Sequence, residues 1–201
     1  VRKRFLKHGG NIMWDKIESE TLLKRLISEG RIVVPEIGRE TFFLEKSRES
    51  LSVAQTLYDL SKNADGTLKS YMWIIAISYY SMFFSAIALL AHFNKKIDTS
   101  IGIHKITFHA LAYYFHVLDN KLQKHFLEEY KESYDTVEEL LHISEKKAVD
   151  ILKMFESEQE KRKEFTYDMG KYAEENKAST SLKRSKEFQT VVERMLNSKR
   201  K

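Results

Sequence analysis

Residues 71–93 constrain this chain more than any other segment, because none of these 23 residues carries a formal charge. A run of that length can span a bilayer, or it can form the central helix of a protein core. The run contains polar side chains at Ser78, Ser81, Ser85 and His92. The other predicted helices are amphipathic, so their apolar faces need a shared core to pack against. We therefore favour a buried core helix and keep a membrane span as the alternative.

The composition narrows the class of protein. One proline and seven glycines in 201 residues leave few helix breaks, so long helices are expected. The absence of cysteine excludes disulfides and thiolate metal sites. No apolar run follows the basic first residues, so no cleaved leader is expected and the cytoplasm is the expected location. The net charge is +5, but the first ten residues carry +4 and the last ten carry +3, so residues 11–191 carry a net charge of −2.

The spacing of apolar residues predicts an all-α bundle of about five to seven helices. Gly30 is predicted to end the first helix, Ser144 to cap the sixth and Gly170 to end it. Residues 31–38 are predicted to be an extended connector and residues 171–179 a loop. The predicted helices cover residues 14–29, 39–63, 71–93, 104–117, about 119–141 with Asp119 or Asn120 as the cap, 145–169 and 181–197.

Three histidines follow the central segment and suggest a metal site. His109 and His116 lie two turns apart on one face of the predicted helix, but His104 lies off that face. No aspartate or glutamate falls between them to complete a set of ligands. We therefore expect histidines at the rim of a core helix and no bound metal.

Arg162 occupies an unusual position in the predicted helix 145–169. It follows Phe155 by seven residues, so it lies within about 20° of the apolar stripe that contains Ile151 and Phe155. A guanidinium on such a stripe requires an anion. Glu158, one turn earlier, is one candidate through an i,i+4 ion pair, and a phosphate ligand is the other. The residues alone make the ion pair the simpler interpretation.

Several segments resemble the HEPN family, named for higher eukaryotes and prokaryotes nucleotide-binding domains. Residues 78–86, SYYSMFFSA, are similar to the aromatic helix of that family. Residues 162–167, RKEFTY, resemble its Arg-polar-x(4–6)-His signature in the branch where tyrosine ends the motif. Residues 182–196 look like its closing helix, and His104 falls where many members have a histidine opening their third helix. The resemblance covers about residues 39–196, with 1–38 as an N-terminal helical extension and 118–141 as a helical insertion in a domain spanning 39–201.

The resemblance implies an up-and-down helical core and a homodimer in which two arginine motifs face each other across a cleft. In members with histidine, that cleft cleaves RNA without metal, because arginine neutralises phosphate and histidine moves protons. By this resemblance Arg162 and Tyr167 are the catalytic candidates, and Lys161, Arg162, Lys163 and His104 are the candidates for binding nucleotide or RNA. The phenol of free tyrosine has a pKa of about 10, so Tyr167 is a poor general base at neutral pH. The ribonuclease motif is therefore degenerate at this position, whereas anion binding by Arg162 is unaffected.

The leading hypothesis is therefore a HEPN-type nucleotide- or RNA-associated protein without a cofactor. It would act as a toxin-like component or as the partner of a minimal nucleotidyltransferase that modifies Tyr167. The alternative is a non-catalytic helical dimerisation or scaffold protein in which Arg162 forms a structural ion pair. A third hypothesis is a membrane-associated protein anchored by residues 71–93.

Overall fold

The computed structural model describes residues 15–63, 70–99, 101–156 and 171–197, excluding the side chains of residue 63 and of residues 141–174. The predicted all-α helical bundle is confirmed. The helices are α1 (Lys16–Ser28), α2 (Arg39–Asn63), α3 (Tyr71–His92), α4 (Ile103–Leu111), α5 (Lys124–Glu156) and α6 (Lys171–Asn197). A π-helical segment, Ala112–Leu118, continues α4, and the two-residue strands β1 (Ile32–Val33) and β2 (Lys96–Ile97) pair antiparallel.

Helix α3 is the centre of the molecule. It packs against α2 and α6 along most of its length, and 15 of its 22 residues are buried. It is long and apolar enough to cross a membrane, and 72% of its most apolar 18-residue stretch is buried inside the described fold. Burial of this kind agrees with the predicted core helix, because the surrounding helices cover the apolar side chains that lipid would otherwise cover.

The contact between α2 and α3 is lined by serines. Ser47 Oγ lies 2.6 Å from Ser85 Oγ and 3.2 Å from Ser81 Oγ, and the Ser81 hydroxyl donates to the Ser47 carbonyl oxygen over 2.9 Å. All three side chains are buried. Small side chains allow two helices to approach closely, and the shared hydrogen bonds satisfy hydroxyls that would otherwise be stranded.

Helix α1 joins the same core from the side of α4. Asp15 caps it, because its carboxylate accepts from the Ile17 N–H over 2.7 Å, and Gly30 ends the segment with a φ of 66°, as predicted. Leu23 and Leu26 are buried. Not every apolar residue of this helix faces the core, since Ile17 is 72% exposed.

The predicted division of the C-terminal half is also wrong. Ser144 does not begin a helix, because α5 runs through it without a break. The apolar spacing continues across this serine from Leu141 to Ala148 and Ile151, so one stripe serves a single long helix. Residues 171–179 are helical rather than a loop, because their lysines, glutamates and alanines favour helix and Ala178 is buried in the core.

The region after α4 differs from the prediction as well. A single helix was expected over residues 104–117, but its second half is a π-helix. The following helix begins at Lys124 rather than at Asp119 or Asn120, since Asn120 takes a left-handed conformation with a φ of 48°. The π-helical segment and this turn bring the start of α5 back toward α3, so that Leu122 and Leu127 are buried in the core.

Candidate functional site

His104 is the one sequence-predicted site residue that the structure describes. It lies in the first turn of α4, just after Gly102, whose φ of 66° turns the chain into the helix. Its ring packs against three aromatic rings of α3, with centroid distances of 4.2 Å to Phe83, 5.6 Å to Tyr79 and 5.8 Å to Tyr80. The histidine is half-buried. The aromatic string of α3 and this histidine, which are distant in the sequence, therefore form one cluster.

A hydrogen bond joins the two parts of that cluster. Tyr79 Oη and His104 Nδ1 share it over 2.8 Å. Burial lowers the pKa of His104 below its ordinary value and raises the pKa of Tyr79 far above that of a free phenol. Both groups are therefore neutral at physiological pH. Because Nδ1 is occupied, Nε2 is the ring nitrogen that remains for a ligand.

Helix α5 contributes the other side of the cluster through two tyrosines one turn apart. Tyr130 is fully buried between Tyr79 and Phe188, with centroid distances of 5.9 and 5.5 Å. Tyr134 lies nearly parallel to His104, at 6.2 Å and an angle of 12°. Burial raises the pKa of both phenols, so both keep their protons.

A carboxylate lies at the edge of this cluster. The hydroxyl of Tyr134 donates a hydrogen bond to the carboxylate of Glu138, one turn further along α5. The negative charge of Glu138 acts to raise the pKa of His104, but burial has the larger effect and the net shift is downward. The arrangement can donate or accept one hydrogen bond through His104 Nε2 and can stack a planar ring. We call Tyr79, His104, Tyr130, Tyr134 and Glu138 the His104 cluster.

An exposed apolar surface adjoins the His104 cluster. Trp73, Ile77, Tyr80 and Phe84 are spaced by three or four residues and share one face of α3. Trp73 is 60% and Tyr80 is 38% exposed. Phe43 of α2 extends the surface, with its ring 5.8 Å from that of Phe84. We call these five residues the outer aromatic face; it meets the cluster where Tyr80 contacts His104.

The other two histidines of the suggested metal site have separate partners. His109 Nδ1 shares a 2.9 Å hydrogen bond with Ser19 of α1, and His116 Nδ1 donates to the carbonyl oxygen of Leu122 over 2.9 Å. Within the described ranges, no group of three or more histidines, aspartates or glutamates could hold a metal ion. The three histidines thus face three different partners and do not converge.

The remaining predicted site residues lie outside the part of the chain that the structure describes. Lys161, Arg162, Lys163 and Tyr167 all fall within residues 157–170, as does Glu158, the alternative partner of Arg162. The side chains of Ile151 and Phe155, on which the stripe argument depends, are likewise not described. The interpretation of this motif therefore stays a prediction.

Sequence reasoning missed the contribution of α5 to the site. Tyr130 and Tyr134 belong to the region interpreted as an insertion, yet they pack directly on Tyr79. Their i,i+4 spacing, with Glu138 one turn later, was the available signal, since three such residues share a helix face.

The comparisons with known proteins provide no family assignment. The chain matches no protein-family model, no curated protein and no solved structure.

Proposed function

We propose that this chain is a cytoplasmic HEPN-type helical module that associates with RNA or a nucleotide as a homodimer. Three segments that carry the resemblance pack together: the aromatic string on α3, His104 on α4, and the closing helix on α6, whose Phe188 and Val192 are buried in the core. The fourth segment, residues 162–167, lies outside the described residues and supports the proposal through its sequence alone. These contacts support the proposal, because three of the segments that carry the resemblance lie side by side in the core.

The outer aromatic face is the observation that carries the proposal. A continuous apolar surface with exposed aromatic rings is typical of a protein–protein contact. The four residues that α3 contributes to this face are uncharged, so a second copy can cover them without burying an unpaired ion. Two-fold symmetry would then place two His104 clusters beside one interface, which is the geometry of a shared cleft.

Oligomeric state tests this part of the proposal. Light scattering should give about twice the monomer mass of 23.7 kDa. Tyr80→Glu places a charge in the middle of the outer aromatic face and should produce a monomer. Ile17→Glu is the matched control, because Ile17 is 72% exposed on α1 and lies outside that face. A strict monomer at every concentration, or equal behaviour of both variants, would contradict the homodimer.

The arginine motif tests the ligand. If Arg162 contacts phosphate, Arg162→Ala should remove a charge-assisted contact of about 1.5–3 kcal/mol, roughly tenfold to a hundredfold in affinity for RNA. Tyr167→Phe should keep the fold and lose any event that needs the hydroxyl, whether cleavage or modification by a nucleotidyltransferase partner. A toxin-like role predicts that expression of the wild-type chain slows growth and that Arg162→Ala relieves it.

A non-catalytic scaffold is the second candidate, and the same outer aromatic face favours it. A dimerisation module needs that surface but no ligand at the His104 cluster. In this case Arg162→Ala would strand Glu158 and lower the melting temperature, while RNA and nucleotide titrations would show no binding to lose. Thermal melts and RNA titrations of the wild type and of Arg162→Ala therefore separate the two candidate functions.

A further inference from the structure

Helix α1 is attached to the bundle through a small surface. It packs on α4 and on the π-helical segment, and three of its 13 residues, Ser19, Leu23 and Leu26, are buried. Ile17 and Ile27 on the same helix are exposed. The central helix α3, in contrast, has 15 buried residues. Because burial of apolar surface is the main stabilising term, α1 should detach at a lower free-energy cost than unfolding of the bundle.

The chain has a hinge just after α1. Gly30 takes a φ of 66°, and a Cβ at this position would meet no atom within 4 Å, so the backbone here is not packed against the bundle. The residues that follow are held separately, since β1 pairs with β2 and the Asp98 N–H donates to the Arg31 carbonyl oxygen over 2.9 Å. Helix α1 can therefore turn about Gly30 while β1 keeps its place.

One buried polar contact lies between α1 and α4. Ser19 Oγ lies 2.9 Å from His109 Nδ1, and both side chains are buried. Among the described residues, the charged groups that act on this ring are Glu18 of α1, Lys105 of α4 and Lys131 of α5. Glu18 attracts a proton, but its carboxylate lies 3.7 Å from His109 Nε2, beyond hydrogen-bond distance, and 3.1 Å from Lys105 Nζ. The surroundings therefore disfavour a charged His109 while α1 covers it.

We propose that α1 is an acid-sensitive latch, which protonation of His109 releases from α4 by a turn about Gly30. Protonation gives the buried ring a second N–H donor and a positive charge, whereas Ser19 offers it a single acceptor. Release lets water solvate the charged ring, so the proton favours the released position. The latch belongs to residues 1–38, outside the resemblance to the HEPN family. The inference goes beyond the proposed function, because it involves neither RNA nor a nucleotide.

Release should become easier as the pH falls. Burial lowers the pKa of His109 to about 4; the two lysines act in the same direction and Glu18 opposes them. A solvated histidine has a pKa of about 6.5, so the released state takes up the proton first. With these two values, the equilibrium constant for release should rise about twentyfold between pH 7 and pH 5. The docked helix is therefore most stable above about pH 6.5, and its docking weakens toward about pH 4.

Native-state hydrogen exchange of the full-length protein at pH 7 and pH 5 tests the latch, with each rate corrected for the intrinsic exchange rate of that amide. We expect the amides in the last two turns of α1 to open about twentyfold more often at pH 5. Their opening should depend less on low concentrations of urea than that of α3 amides, since local release exposes little surface. Equal protection and equal urea dependence of α1 and α3 amides would overturn the proposal.

Two histidine variants identify the titrating group. His109→Asn stays uncharged, so the opening of α1 should change by about threefold or less between the two pH values. His125→Asn is the matched control, because His125 is exposed on α5, and it should keep the wild-type change. An equal pH dependence in His109→Asn and in the wild type would overturn the proposal.

Proton nuclear magnetic resonance of the wild type gives a second measurement that needs no variant. The ring of His109 should titrate well below the ordinary pKa of about 6.5 while α1 is docked. A ring that titrates at the ordinary pKa while the α1 amides stay protected would overturn the proposal. Neither measurement involves RNA, so failure of the latch leaves the proposed function standing.

Discussion

His104 and His109 lie five residues apart on α4, and their surroundings differ in what they leave open. His104 is half-buried, shares a hydrogen bond with Tyr79, and borders the exposed outer aromatic face. His109 is 4% exposed and is enclosed by Ser19 and Glu18 of α1. Both are neutral at physiological pH because burial lowers their pKa. The same residue type on one helix is thus accessible to a ligand at one position and structural at the other.

The largest expected effect comes from the aromatic rings behind His104. Tyr79→Ala removes a ring that is 2% exposed and contacts Tyr130 and Phe83, so the free energy of unfolding should fall by about 3–5 kcal/mol. Urea unfolding followed by circular dichroism measures it. Tyr80→Ala is the control, because its ring is 38% exposed and should cost clearly less. Equal losses would mean that the cluster is not packed as described.

The next effect concerns pH and the enclosed histidine. Burial lowers the pKa of His109 to about 4; Lys105 and Lys131 act in the same direction and Glu18 opposes them. The unfolded chain binds this proton near pH 6.5, so unfolding becomes easier as the pH falls from 6.5 toward 4. The expected loss between pH 7 and pH 4 is roughly 3 kcal/mol. Urea unfolding of wild type and His109→Asn at both pH values isolates this contribution, and an equal pH dependence in both proteins would contradict it.

Deleting the hydrogen-bond partner of each histidine compares the two environments more finely. Ser19→Ala leaves His109 Nδ1 buried without its partner, which should cost about 1–3 kcal/mol. Thermal melts at pH 7 measure the loss. Ser28→Ala is a suitable control on the same helix, since that hydroxyl donates to the Arg25 carbonyl oxygen on an exposed surface.

The corresponding deletion at His104 should have the smallest effect on stability. Tyr79→Phe keeps the ring and removes the hydroxyl, but half-buried His104 can turn its free nitrogen toward water. The expected loss is about 0.5–1.5 kcal/mol, smaller than that of Ser19→Ala. A reversed order of the two variants in the same thermal melts would mean that His104 is the enclosed histidine in solution.

The sequence predicted the helices whose apolar spacing is strong and missed what depends on distant contacts. Helix α2 was predicted with its observed bounds, and α3 ends one residue earlier than predicted. Local signals mark both helices, because Gly30 and the connector precede α2 and the uncharged run forms α3. The start of α5 could not be predicted, since it depends on the left-handed Asn120 and on the π-helical segment.

The candidate site shows the same limit. His104 could be singled out from the resemblance, but its partner Tyr79 and the stacking of Tyr134 arise only when α3, α4 and α5 pack together. No local pattern marks the difference between His104 and His109, because helical spacing specifies the face of a residue and does not specify how completely another helix covers it.

RNA binding by two histidine variants tests most directly the claim that the His104 side of α4 faces the ligand. Fluorescence titration of a labelled single-stranded RNA at pH 7 should show about tenfold weaker binding for His104→Ala, which loses the contact through Nε2. His109→Asn should bind like the wild type, because its side chain is enclosed by α1. Circular dichroism confirms that both variants are folded. The account predicts loss of affinity for His104→Ala alone, and wild-type affinity in that variant would contradict it.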